Sequence, residues 1–466
     1  MSLLITNGRI ITATDDYVAD IFCAGETITR IERGIQAKEL PVAPDALEVI
    51  DATGKYVFPG FIDPHVHIYL PFMGTFAADD YASASRAALA GGTTTLVEMI
   101  CPGPADEPLD AFELWRSKAE GLAAVDYTFH MSVVRFEERV REQFCRIVES
   151  GVPSFKVFLA YKGALNLSDE HLFAAMTMAK QLGVIVTAHC ENADAIDAMQ
   201  RMLLAAGKTG PEWHGPSRPP VVEAEGVHHI CAFAALTGAH VYTVHTSCDA
   251  AVREALAARY RGVDVWVEVV APHLVLDETY AERAGFEGAK YVMSPPLRAR
   301  ANQDVLWNAL RSRSISTVAT DHAPFSFDTQ KTMGREAFTR IPNGIPSVQE
   351  RVDIVHTQGV LAGRLDLQTM VDACSTQAAR LFGMYPKKGT IAVGSDADLV
   401  VYDPLYCGTF AKSTSYSNVD YNAYEGWERR GRASVVTVRG QVQVRDGRFV
   451  GEIGRGEFIA REATHA

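Results

Sequence analysis

The sequence predicts an α/β protein: a (β/α)8 barrel of the TIM type, with a small β-sandwich domain built from both chain ends. Three observations carry this expectation. Between residues 55 and 385, short apolar or β-branched runs alternate with longer amphipathic segments, the pattern of βα units around a parallel sheet. Glycines stand where helical segments must stop, at Gly91, Gly183, Gly238 and Gly262. Both flanks read instead as short strands joined by turns.

Taken in order, the first run covers 56–67 and is followed by helical spacing at 80–90. Runs at 93–100, 127–134 and 154–161 come next, the last with a helical segment at 168–182 behind it. The fifth run, 184–191, is separated from the sixth, 240–247, by helical spacing at 223–237. A helical segment at 249–260 leads to the seventh run, 263–270, and the eighth lies at 316–322. Eight strands with intervening helices form a closed barrel. The flanking strands (3–10, 21–23, 28–31, 399–402 and 435–444) have no place inside it. They are therefore assigned to one small domain from 1–54 and 386–450, leaving 55–385 as the barrel. The remaining 451–466 is read as a C-terminal arm or subunit contact.

Composition narrows the function. With 466 residues, 47% hydrophobic and 22% charged, the chain matches a large globular protein rather than a disordered or fibrous one. Its formal charge of -13 is spread along the chain without a basic stripe, which argues against nucleic acid or anionic lipid as partners. No apolar stretch approaches a membrane span, and no leader pattern opens the chain, so a cytoplasmic location is expected. The 8 cysteines show no C-x-x-C spacing and read as free thiols of a reducing compartment. Cys190 follows His189 directly, but neighbouring strand residues face opposite ways, so a catalytic role is not assigned to it.

Catalytic groups of such barrels come from the C-terminal ends of several strands. The first run ends Ile62-Asp63-Pro64-His65-Val66-His67, and period-two alternation puts both imidazoles on one face, where they suit a divalent metal. A lone buried histidine is usually structural. Here the fifth run reaches His189 and the sixth His245, at equivalent ends of neighbouring strands, which favours a second metal position. Asp321 emerges from the apolar eighth run and is costly there unless it meets a cation. Lys156 lies inside the apolar fourth run, where an ammonium is expensive and cannot ligate metal unless modified; the bland alternative is a snorkelling strand-end lysine.

These six positions, with Tyr161, Ser294-Pro295-Pro296-Leu297-Arg298, Thr320-Asp321-His322 and Pro342-Asn343-Gly344, resemble the cyclic amidohydrolases of the dihydropyrimidinase and D-hydantoinase group. The resemblance spans nearly the whole chain, including Gly394-Ser395-Asp396-Ala397-Asp398-Leu399-Val400-Val401-Tyr402. It implies two divalent metal ions, zinc by likeness, bridged by Lys156 carrying carbon dioxide as a carbamate. It places His65, His67 and Asp321 on one metal and His189 and His245 on the other. It further implies that water activated there attacks the ring carbonyl, that Tyr161 stabilises the oxyanion, and that Asp321 passes the proton to the leaving nitrogen. Ser294 and Asn343 would grip the ring amide.

The loop after His67 is apolar and aromatic, with Ile68 and Tyr69 where a carboxylate-binding arginine would stand in a dihydroorotase-like enzyme. Leu70, Phe72, Phe158 and Leu165 are candidate walls for a ring substituent. The expected substrates are 5-substituted hydantoins of D configuration and dihydropyrimidines. Allantoinase activity is an alternative, as is a non-catalytic scaffold similar to the collapsin response mediators; the family tendency is a homo-oligomer, tetramer or dimer.

Overall fold

The computed structural model describes residues 2–464. Eight parallel strands run in sequence order: Phe61–Val66, Thr93–Ile100, Asp126–Ser132, Ser154–Phe158, Ile185–His189, His240–Thr243, Val265–Val270 and Thr317–Ala319. The ring closes where the Asp321 N–H donates to the His65 carbonyl (3.0 Å) and the His67 N–H to that of His322 (2.7 Å). Thr93–Ile100 is buried along its whole length, as a strand covered on both faces must be. The expected helices appear as Tyr81–Ala90, Asp169–Leu182, Pro220–Thr237 and Asp249–Tyr260. Asp80 and Ser168 cap two of them by accepting the Ser83 and His171 N–H groups. Gly183 (φ 64°) and Gly238 (φ 74°) end two in the left-handed conformation.

The single strand expected over 56–67 is two strands. Tyr56–Pro59 belongs to the sheet of the chain ends, and the barrel starts at Phe61. The break falls at Gly60, where a Cβ would collide with Thr94 and Asp398. Tyr56–Pro59 is the seam of the second sheet: it pairs parallel with Ser2–Ile11 and antiparallel with Leu399–Thr409. Nine strands from the two ends join there, closing over an apolar cluster that includes Leu3, Ile21, Ile28, Val57, Leu399 and Val435.

Two segments cross between these layers. After Leu399–Thr409 the chain leaves the sheet, and Phe410, Val419, Tyr421 and Tyr424 pack against Val270, Met293 and Ala319 of the barrel. The terminal arm, described through Thr464 with the last two residues outside the described part, lies back on its own barrel. Its Ile459 N–H donates to the Tyr127 carbonyl (2.7 Å) and its Arg461 N–H to that of Gly151 (2.9 Å). Among the described residues no helix is long and apolar enough to cross a membrane.

Candidate active site

The strand ends deliver the polar residues to one place. His65 and His67 leave the first strand with their Nε2 atoms 3.2 and 3.1 Å from the same oxygen of Asp321. The donor atoms of these three lie within 4.8 Å of one another. His245 and His189 extend the row: ring centroids are 5.3 Å apart for His65 and His245, and 4.5 Å for His245 and His189. Lys156 enters from the fourth strand, wholly buried, and its Nζ has no hydrogen-bond partner. His65 Nε2, despite its approach to Asp321, and His245 Nδ1 are likewise buried without a hydrogen bond. Such orphans in a native core call for a missing partner.

Electrostatics favour cations as that partner. Burial, then the nearby Lys156 charge, push His65 well below its usual range, and burial does the same to His245. Burial thus favours the neutral imidazole at both positions, the form that ligates metal. Burial opposes charge on Asp321, but His65 and His67 outweigh it and hold the carboxyl at about 2. Burial pulls the Lys156 amine down to about 8, which raises the fraction of free amine able to add carbon dioxide. The donor set thus fits divalent cations, His65, His67 and Asp321 lying close enough to share one. Tyr161 (φ 63°), His245 (φ 39°) and Asp321 (φ 51°) all adopt left-handed backbone, a concentration of strain typical of functional sites.

A supporting layer went unread in the sequence. Glu268 accepts from His65 Nδ1 (2.8 Å), the His245 N–H (2.8 Å) and the Tyr242 hydroxyl (2.7 Å), fixing two candidate ligands at once. Glu191 orients His189 (2.8 Å) and is itself held by Arg218 (2.5 Å). The signal for Glu268 was present: one acid inside Val265-Trp266-Val267-Glu268-Val269-Val270. Cys101 is a further neighbour, its Sγ 4.0 Å from His67 Nδ1. Cys190 instead turns away and donates to the Ala188 carbonyl.

All the candidate residues line one inner cavity of about 40 Å3: His65, His67, Lys156, His189, His245 and Asp321 on its floor, with Leu70, Phe72, Phe158, Tyr161, Leu165, Ser294 and Asn343 around them. The Asn343 amide donates to Ser294 Oγ (2.9 Å), and both reach the Tyr161 phenol. Leu70, Phe72, Tyr161, Leu165 and Asn343 also face a wider cleft of about 600 Å3, within the range of small-molecule sites. Its lining is mostly apolar, with Lys162, Asp197, Gln200 and Thr339 adding polar groups.

The sequence pattern of the amidohydrolase family matches residues 56–443. The chain belongs to the amidohydrolase family. A D-hydantoinase (dihydropyrimidinase) structure from Thermus sp. superposes on this amidohydrolase with a TM-score of 0.97 at 57% identity, covering 100% of both chains. The dihydropyrimidinase structure from Brevibacillus agri gives 0.96 at 44% identity over 99% of each chain. The D-hydantoinase of Geobacillus stearothermophilus is 44% identical over 463 residues, 99% of this chain and 97% of that protein. The amidohydrolase is an enzyme, and its relatives are named for opening cyclic amides.

Proposed function

We propose that this amidohydrolase opens the rings of 5-substituted hydantoins, of D configuration, and of dihydropyrimidines. The observation that carries the reading is the buried, unpartnered Lys156 Nζ among four histidines and Asp321, below the linked trio Tyr161, Ser294 and Asn343. His65, His67 and Asp321 would hold one ion, His189 and His245 the other, with carbamylated Lys156 bridging. Divalent ions there, zinc by family likeness, supply Lewis acidity that brings the pKa of a water toward about 7 and polarises a carbonyl.

The protein's own groups do the rest. Ser294 and Asn343 hold the ring amide, and the Tyr161 phenol donates to the carbonyl oxygen as it gains negative charge. Water oxygen bonds to the carbonyl carbon; Asp321 takes the proton and returns it to the ring nitrogen as the C–N bond breaks. Leu70, Phe72, Phe158 and Leu165 exclude water beside the substituent. The enzyme is proposed to act in the cytoplasm as a homo-oligomer, dimer or tetramer.

Side-by-side turnover of phenylhydantoin, dihydrouracil and allantoin tests the substrate class: the first two should be opened, and preference for allantoin would sink the claim. Metal analysis should return two divalent ions per chain; fewer than one would favour a scaffold. Lys156→Ala should lose metal and activity, with partial recovery in short carboxylic acids, and full activity without them would refute the bridge.

A further inference from the structure

After the eighth strand the chain makes short turns at Lys331–Gly334 and Phe338–Arg340, beside the cleft. Lys331 points inward from the first and is wholly buried. Its Nζ donates to three main-chain carbonyls, those of Val292 (2.9 Å), Pro342 (2.7 Å) and Gly344 (2.7 Å). Burial pulls the amine well below its ordinary range. Three acceptors around one nitrogen nevertheless call for three N–H bonds, and only the ammonium has them.

Those carbonyls belong to the two loops that end on Ser294 and Asn343. The loops also bond each other, the Gly344 N–H donating to the Val292 carbonyl (2.9 Å). Gly344 (φ 149°) lies so close to the Ala323 carbonyl that a Cβ would collide with it. The adjacent Gln330 reaches the other wall of the cleft. Its amide donates to Thr75 Oγ1 (2.8 Å) and the Phe76 carbonyl (2.6 Å), in the hairpin formed by Pro71–Phe72 and Thr75–Phe76.

We propose that Lys331 is a positioning residue for ring recognition: its ammonium fixes the Ser294 and Asn343 loops at the spacing a planar amide requires, and Gln330 ties that pair to the hairpin carrying Phe72. The inference rests on the ring-gripping roles proposed for Ser294 and Asn343. A buried ammonium held only by carbonyl dipoles is an expensive way to fill space that a methionine would fill without charge. What it supplies is angular control over two loops at once.

In the metal-loaded enzyme, Lys331→Met is expected to raise KM for dihydrouracil roughly tenfold or more, to lower kcat less, and to keep its metal. Lys331→Arg, which retains N–H donors, should recover part of the KM. A wild-type KM in Lys331→Met overturns the proposal, as does a fall in kcat accompanied by metal loss at unchanged KM. Should the methionine variant not fold, Gln330→Ala carries the test: kcat/KM for phenylhydantoin should fall several-fold while dihydrouracil is hardly affected, and equal losses on both overturn it. If Ser294→Ala and Asn343→Ala leave KM unchanged, the ring-gripping reading fails and the inference with it. If they raise KM and Lys331→Met does not, the inference alone fails.

Discussion

At the residue scale, the supporting acids make the sharpest predictions. Glu268 holds the His65 ring and the His245 backbone with one carboxylate, so Glu268→Gln should weaken metal binding by about 10- to 100-fold while the fold persists. Competition against a chelator measures this, and unchanged affinity would refute it. Glu98 supports the backbone instead, accepting from the Ile68 (2.9 Å) and Tyr69 (2.7 Å) N–H groups and so anchoring the chain just after His67. Burial pushes this carboxyl from 4.5 up to about 8. Because the folded value lies above the unfolded one, its contribution to stability is fully present below the unfolded pKa and is lost as pH rises through about 8. Glu98→Gln keeps an acceptor and cannot ionise, so it should gain on wild type across that window, by a few kcal/mol at most. Melting curves from acid to alkaline pH check this; parallel curves would sink it. The candidate ligands were legible because each stands inside or at the end of an apolar run, where a polar side chain is costly without a partner. Glu98 and Glu268 stand in such runs too, but their roles were not readable, because the groups they hold come from other elements.

At the scale of elements, the hairpin of Pro71–Phe72 and Thr75–Phe76 forms one wall of the cleft, with the Phe72 ring 5.4 Å from that of Tyr161 at 86°. Phe72→Ala should lower kcat/KM for aryl hydantoins by about 10- to 200-fold and leave dihydrouracil nearly unchanged, since a pocket discriminates by the apolar contact it loses. Equal losses on both would show that Phe72 serves catalysis or folding instead. The eight strands were readable from alternation because buried β-branched runs have few other uses. Their limits were less so: the eighth shrinks to Thr317–Ala319 because the chain turns left-handed two residues on, at Asp321. The first divides at Gly60 because Thr94 of the barrel and Asp398, just before the Leu399–Thr409 strand, crowd that point. Neither cause is local in sequence. The course of 410–427 across the barrel was equally hidden, since its apolar residues find their partners far away in sequence, on segments from Val270 to Ile354.

At the scale of the molecule, the barrel, the end sheet and the arm meet at Asp126, the first residue of the third strand and so at the barrel face opposite the site. Its carboxylate accepts from Lys388 (2.6 Å), from Arg439 of the end sheet and from the Glu457 N–H of the arm (3.0 Å). Lys388 also meets Asp398 (2.7 Å) and Asp396 (2.9 Å), and these acids outweigh the burial that would otherwise discharge it. The arm is held further by Phe458, whose ring lies 5.9 Å from that of Phe129, and by Arg461, which donates to Thr128 Oγ1 and Ser154 Oγ (2.9 Å each). Lys388→Met removes one cation from a buried group of three carboxylates and leaves Arg439 as the remaining one among these contacts. Breaking a buried pair from one side costs about 3–5 kcal/mol, far more than deleting a surface bridge. The variant should therefore melt well below wild type, with the end sheet and arm loosening first under hydrogen exchange. It should keep its metal and its KM at low temperature, because nothing in this cluster touches the cleft. An unchanged melting point would mean that the three parts are held by apolar packing alone, whereas early loss of metal would mean that strain at this face reaches the opposite end of the strands.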